Sequence, residues 1–167
     1  MKVSNGLKPV RENNIGLKES KLMILVDSRE QLPYWSGSQC LKTPLVVGDY
    51  TTIKLLNKFH IDRKSAIDLY GTITSGHMRF KKEILRAKDH NIELMIYVET
   101  TREKFINKQF PRGDKLKYPS QGLERILNTY KERYGLIFVW HKDRMETLNS
   151  VLKKLKLKQK FYEHLNE

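Results

Sequence analysis

Short apolar runs alternate with helically spaced apolar positions, and that pattern predicts most of the elements. Residues 22–27 (LMILVD) are almost wholly apolar and end in an acid, as a buried central strand does. Residues 45–49 repeat that form, 50–54 carry the β-branched Thr51, Thr52 and Ile53, and 58–64 alternate; together they predict a three-stranded antiparallel meander. From about Ser65 a helix places Leu69 and Ile73 four residues apart, and after Thr74, Ser75 and Gly76 a second one carries Phe80, Ile84, Leu85 and Ala87, stopping near Asn91. Residues 92–98 (IELMIYV) and 136–140 (LIFVW) predict two further strands. Between them lies a helix capped by Ser120, with Leu123, Ile126, Leu127 and Tyr130 as its stripe and Gly135 as its stop. The last helix, from about Asp143, uses Met145, Leu148, Val151, Leu152 and Leu155.

The remaining stretches predict irregular structure. Residues 31–42 form a connector, and 100–119, basic and broken by Pro111, Gly113 and Pro119, form a mobile loop near substrate. Residues 1–20 are a polar lead-in, which leaves 21–167 as one domain. Strands alternating with helices imply an α/β fold, a mixed sheet flanked by helices.

Composition narrows the partners. The formal net charge is +13, from 32 basic and 19 acidic residues, and the basic excess is larger after Thr101, so a polyanion is the natural partner. No apolar run approaches the roughly 20 residues that span a bilayer, and no secretory leader is visible at the N-terminus. One cysteine, Cys40, excludes an internal disulfide, and no Cys/His cluster offers a zinc site. The expected location is therefore a cytosol, phage or bacterial, or a nucleus if the source is eukaryotic.

The chemistry-bearing residues gather in residues 47–68, VGDYTTIKLLNKFHIDRKSAID. Side chains alternate along a strand, so Asp62 and Lys64 share one face while Arg63 points away, and Asp49 precedes them on a neighbouring segment. Two carboxylates and a lysine at one sheet edge suit a hard divalent cation acting on a phosphodiester. The wider pattern is more specific: VDSRE at 26–30, VGDY at 47–50, DRKSAIDL at 62–69 and RFKKEILRA at 79–87. Together these resemble the nuclease domain of the XPF family of structure-specific endonucleases, whose signature is GD, a spacer, ERK, three residues and D. Gly48-Asp49, Asp62-Arg63-Lys64 and Asp68 occupy those places, and the resemblance extends over residues 22–155.

The resemblance implies a restriction-endonuclease-like fold and hydrolysis of DNA phosphodiesters with Mg²⁺ or Mn²⁺, on branched, flap or fork substrates. It makes Asp27, Asp49 and Asp62 metal ligands and Lys64 the group that orients or activates water. Arg29 is then expected near the scissile phosphate, with Arg63 and Asp68 in support. By alternation, a salt bridge behind the site is as good a reading of Arg63 as a DNA contact. Two departures stand out. Asp62 replaces the family's usual Glu, and no helix-hairpin-helix modules follow, so grip on DNA falls to the basic surface, a homodimer on the C-terminal helices, or a partner protein. Two other readings remain open: an inactive DNA-binding or scaffolding subunit of this fold, and a nuclease for RNA or unbranched DNA.

Several residues carry two readings. Arg79 and Glu83, four apart, form either an exposed ion pair or a support for the site. Tyr34 and Trp35 either stack on bases or anchor their loop. His60 and His141 read as packed or surface histidines, Cys40 as inert, and Glu99 as a strand-terminal surface acid.

Overall fold

A computed structural model describes residues 22–38 and 40–165. The predicted lead-in at 1–20 lies outside the described residues. Among the described residues, six strands form one mixed sheet in the order β2-β1-β3-β4-β5-β6. They are β1 (Ile24–Asp27), β2 (Cys40–Thr43), β3 (Tyr50–Thr52), β4 (Phe59–Lys64), β5 (Glu93–Val98) and β6 (Ile137–Trp140). β1 runs parallel to β2 and β4 to β5 to β6, while β3 is antiparallel to both its neighbours. This carries the C-terminal ends of β1 and β4 and the entry to β3 to the same edge of the sheet.

Five α-helices of the described residues flank the sheet: α1 (Ala66–Ile73), α2 (His77–Asp89), α3 (Arg102–Ile106), α4 (Ser120–Tyr134) and α5 (Arg144–His164). Strand alternation divides the core in two. On one face Leu94, Ile96 and Val98 pack under Leu69, Ile73, Phe80, Ile84, Leu123 and Leu127 of α1, α2 and α4. On the other, Phe59, Ile61, Met95 and Tyr97 meet Leu148, Val151 and Leu155 of α5, joined by Tyr34, Trp35 and Tyr50. The α/β architecture is thus the one the pattern implied. Among the described residues, no helix is long and apolar enough to cross a membrane.

Four local expectations are corrected. Residues 45–49 are no strand but a bend: Gly48 has φ +67°, and the backbone of Leu45 is bound by side chains, its N–H donating to Asp27 Oδ2 (2.8 Å) and its carbonyl accepting from Arg29 Nη2 (2.9 Å). Tyr50–Thr52 passes directly into a 3₁₀ turn at Ile53–Leu55. The connector at 31–42 hides most of β2, whose half-polar CLKT sits on the sheet border and lacks a buried-strand signature. Ser120 does not cap α4; Pro119 holds the cap position, and Ser120 is the first helical residue.

The expected mobile loop at 100–119 is also ordered by chemistry its sequence carries. Thr101 Oγ1 accepts from Lys104 N to cap α3, and Phe105 is fully buried against Phe110 and Trp140, with centroid separations of 5.9 and 5.5 Å. Phe105→Ala is expected to cost about 3–5 kcal/mol, the usual range for deleting a buried phenyl group, measured by urea denaturation; a mobile loop would tolerate the change without loss.

Candidate functional site

The site is assembled around the backbone of Asp49. Its carbonyl accepts from Asp27 N and its N–H donates to Ile61 O, both at 2.8 Å, so the residue is held between β1 and β4. Gly48 makes the approach possible. Its left-handed backbone disfavours any side chain, and a Cβ there would stand 3.0 Å from Ile61 O. The Asp49 carboxylate then turns to β4, where Arg63 N donates to Oδ2 at 2.7 Å. From the other side of this bend, both ring nitrogens of the buried His60 face carbonyl oxygens, Val47 O at 2.7 Å and Leu56 O at 2.6 Å.

Asp62 and Lys64 share the α1/α2 face of β4, as alternation required, with Lys64 Nζ 2.8 Å from Asp62 Oδ2. That contact neutralises charge but is not aligned as a hydrogen bond, and Oδ2 is buried without a directed donor. Burial, the charge of Asp62 and a hydrogen bond with it push the Asp49 carboxyl up to about 9. Burial opposes the charge on Lys64, yet Asp62, Asp49 and Glu83 outweigh it and raise its pKa. The result is a desolvated acid pair with a committed cation beside it.

The other sequence candidates take different places. Asp27 is buried and fully hydrogen bonded: Oδ1 accepts from Arg29 N (2.8 Å) and Nε (2.7 Å), and Oδ2 accepts from Arg29 Nη2 (2.8 Å) and Leu45 N (2.8 Å). Burial raises its pKa, but these donors prevail and hold the carboxyl below its ordinary value. Arg29 itself is largely exposed and is stabilised as a cation by Asp27, Glu83 and Asp49, which sets a positive group at the rim. Asp68, exposed, accepts from Ser65 Oγ at 2.6 Å, and Ser65 Oγ accepts in turn from Asp68 N, capping α1. Arg79 and Glu83 line a groove of about 390 Å³ with Lys64 and Asp68, and Glu83 Oε1 accepts from Gly48 N (3.2 Å) instead of pairing with Arg79.

Arg63 points to the opposite face and forms a buried salt-bridge network. Nε and Nη2 donate to Glu30 at 3.0 and 3.1 Å, and Nη1 lies 3.3 Å from Glu99 Oε2. Glu99 is therefore not a surface acid: its side chain is 10% exposed and also accepts from Tyr34 OH (2.6 Å) and Arg144 Nη1 (3.0 Å). Tyr34 and Trp35 are buried and pack on Tyr50 at 5.2 and 5.4 Å, so they anchor the loop and have no face for a base. Glu30 was missed by the sequence reading, although alternation had already sent Arg63 to this side and an acid had to meet it.

The ERCC4 domain model matches residues 26–153. The chain belongs to the ERCC4 domain family. No curated protein matches the sequence. Among solved structures, XPF from Aeropyrum pernix is similar with a TM-score of 0.61 and 20% identity over 84% of this chain and 68% of that one. A complex of XPF from Aeropyrum pernix with DNA gives a TM-score of 0.59 and 21% identity over 82% and 64%. The chain thus spans about two thirds of these proteins, and the ERCC4 domain here has the XPF nuclease fold, restriction-endonuclease-like as the resemblance implied.

Asp62 Oδ2 lacks an aligned donor, and a cation can replace the proton that Asp49 retains. Among the described residues, no group of three or more His, Cys, Asp or Glu side chains is placed to hold a metal ion. Titration of Asp49 carries a stability signature. With a folded pKa of about 9 against an ordinary value of 3.8, its contribution is present below pH 4 and is lost as pH rises through 9. In EDTA the melting temperature is therefore expected to fall between pH 6 and pH 9, and Asp49→Asn is expected to flatten that slope; equal slopes in the two proteins would contradict the assignment.

Proposed function

We propose that this ERCC4 domain is a divalent-metal-dependent DNA endonuclease that acts on branched, flap or fork structures. One observation carries the reading: Asp49, Asp62 and Lys64 meet at one sheet edge, with a buried carboxylate oxygen that has no aligned donor. The net charge of +13 supports a nucleic-acid substrate, and a similar fold is known in complex with DNA.

Asp49 and Asp62 would hold Mg²⁺ or Mn²⁺, which when bound supplies charge that acidifies water and offsets the negative charge gathering on the phosphorane. Lys64, kept cationic by the acids around it, balances the same charge and orients the nucleophile from within the groove. Arg29, at the rim, meets the phosphate backbone, and Arg79 extends this contact along the groove wall. Asp27 orients Arg29, and Arg63 fixes β4 from behind while its backbone N–H aims Asp49. Asp68 secures the start of α1 below Lys64.

A homodimer is part of the proposal. The surface chemistry favours the C-terminal part of the sheet: β6 leaves one strand edge open, with Ile137 47% exposed and an apolar hollow of about 630 Å³ between it and α4. Light scattering is expected to give twice the chain mass, and Ile137→Asp to give the monomer.

Cleavage of labelled duplex, flap, fork, four-way-junction and RNA substrates in Mg²⁺ or EDTA tests the activity. Asp49→Ala and Lys64→Ala are each expected to abolish Mg²⁺-dependent cleavage while leaving the melting profile cooperative and DNA affinity within about threefold. Binding without cleavage by the unaltered protein in every metal would assign the scaffold role instead, and preference for RNA or plain duplex would change the substrate class.

A further inference from the structure

The basic segment after β5 starts beside the candidate site. Glu99 N donates to Lys64 O at 3.0 Å, and β5 runs parallel to β4 with Val98 opposite Lys64, so the chain leaving β5 enters α3 at the same sheet edge as the acid pair and the lysine. Beyond α3, residues 107–118 close into a loop ordered from within. Lys108 Nζ donates to Leu116 O (3.1 Å) and Tyr118 O (3.2 Å), tying the two ends together, and Gly113 crosses so near that a Cβ there would stand 2.0 Å from Lys108 O. Tyr118 N donates to Tyr70 OH (3.1 Å), which fastens the loop to α1 about one helical turn after its first residue.

This scaffold displays positive charge. Arg112, Lys115 and Lys117 stand exposed on it, with Asp114 the one acid among residues 107–118, whereas Arg102 at the start of α3 is paired with Glu124 at 2.9 Å. Arg112 has φ +68° and Lys108 φ +56°, left-handed backbone that glycine or asparagine adopts at less cost. We propose that residues 107–118 are a preformed clamp for the phosphate backbone of DNA, gripping the substrate beside the groove through Arg112, Lys115 and Lys117. The clamp rests on the nuclease reading above and deepens it by naming where the substrate is held. A loop already ordered by its own contacts loses little freedom when a polyanion docks, so its cations are available without an ordering cost. Contacts of this kind fix position on the backbone and carry no base sequence.

Equilibrium binding of the full chain to labelled duplex and flap DNA in EDTA, over a series of salt concentrations, measures the phosphates held. The triple variant Arg112→Gln, Lys115→Gln, Lys117→Gln is expected to make the slope of log K against log salt less steep by about 2 to 3, roughly one for each cation withdrawn. Arg112→Gly alone is expected to reduce the slope by about 1 with an unchanged or higher melting temperature, because glycine suits the left-handed position. Lys153→Gln, Lys154→Gln, Lys160→Gln on α5, which packs on the other face of the sheet, removes the same charge and is expected to leave the slope as it was. A wild-type slope in the loop variants, an equal change in the α5 variant, or no DNA binding by the unaltered protein would each overturn the clamp. Mg²⁺-dependent cleavage by the unaltered protein would still uphold the nuclease reading in those cases. A reduced slope in the loop variants, with no cleavage by the unaltered protein in any metal, would keep the clamp and overturn the nuclease reading instead.

Discussion

Asp49 enters the sheet through two backbone hydrogen bonds, one to β1 and one to β4, and the arrangement of every group at the site follows from them. They set the register in which Tyr50 faces Ile61 and Val26, and so determine that Asp62 and Lys64 come up beside the Asp49 carboxylate. A sheet can close this tightly only where the preceding residue turns left-handed and lacks a Cβ, which is the physical content of the Gly-Asp pair. The same closeness desolvates the acids, which leaves Asp49 its proton, and gathers the carboxylates that keep Lys64 charged against its own burial.

The legible part of the site was the part governed by local geometry. Asp62, Arg63 and Lys64 lie on consecutive positions of one strand, so alternation alone separates the groove-facing pair from the arginine, and Ser65 announces the helix that follows. Leu69, Phe80, Ile84, Leu123 and Leu127 were likewise readable, because helical spacing and burial coincide there. What stayed hidden depended on contacts distant in the chain. Leu45 looks like a strand residue, but its backbone is claimed by Asp27 and Arg29, sixteen or more positions earlier. Glu99 looks like the last residue of a strand until Tyr34, Arg63 and Arg144 close around it from three separate segments. Glu83 was visible as a helical acid, but its approach to Gly48 depends on how α2 packs.

Electrostatics divides the sheet into two unlike halves. On the α1/α2 side, Asp62 Oδ2 is buried without an aligned donor, next to an Asp49 that burial keeps protonated. On the α5 side, Glu30 and Glu99 are matched by Arg63 and Arg144, and each arginine also lies over the Tyr34 ring, at 5.9 and 4.6 Å. A matched buried network gives geometry more than stability, since desolvation offsets much of its Coulomb gain. One strand, β4, carries residues of both kinds at successive positions, so the rigid half holds the reactive half in place.

Arg144 begins α5 and donates both to Glu99 and to Leu32 O. The long C-terminal helix is thereby wired through Glu99 and Arg63 to the amide that aims Asp49. Anything that docks on, bends or displaces that helix also tugs on Asp49 from the rear of the sheet. A remote binding event therefore reaches the Asp49 carboxylate without ever touching the groove, and lesions in that helix would masquerade as defects at the Gly48–Asp49 bend.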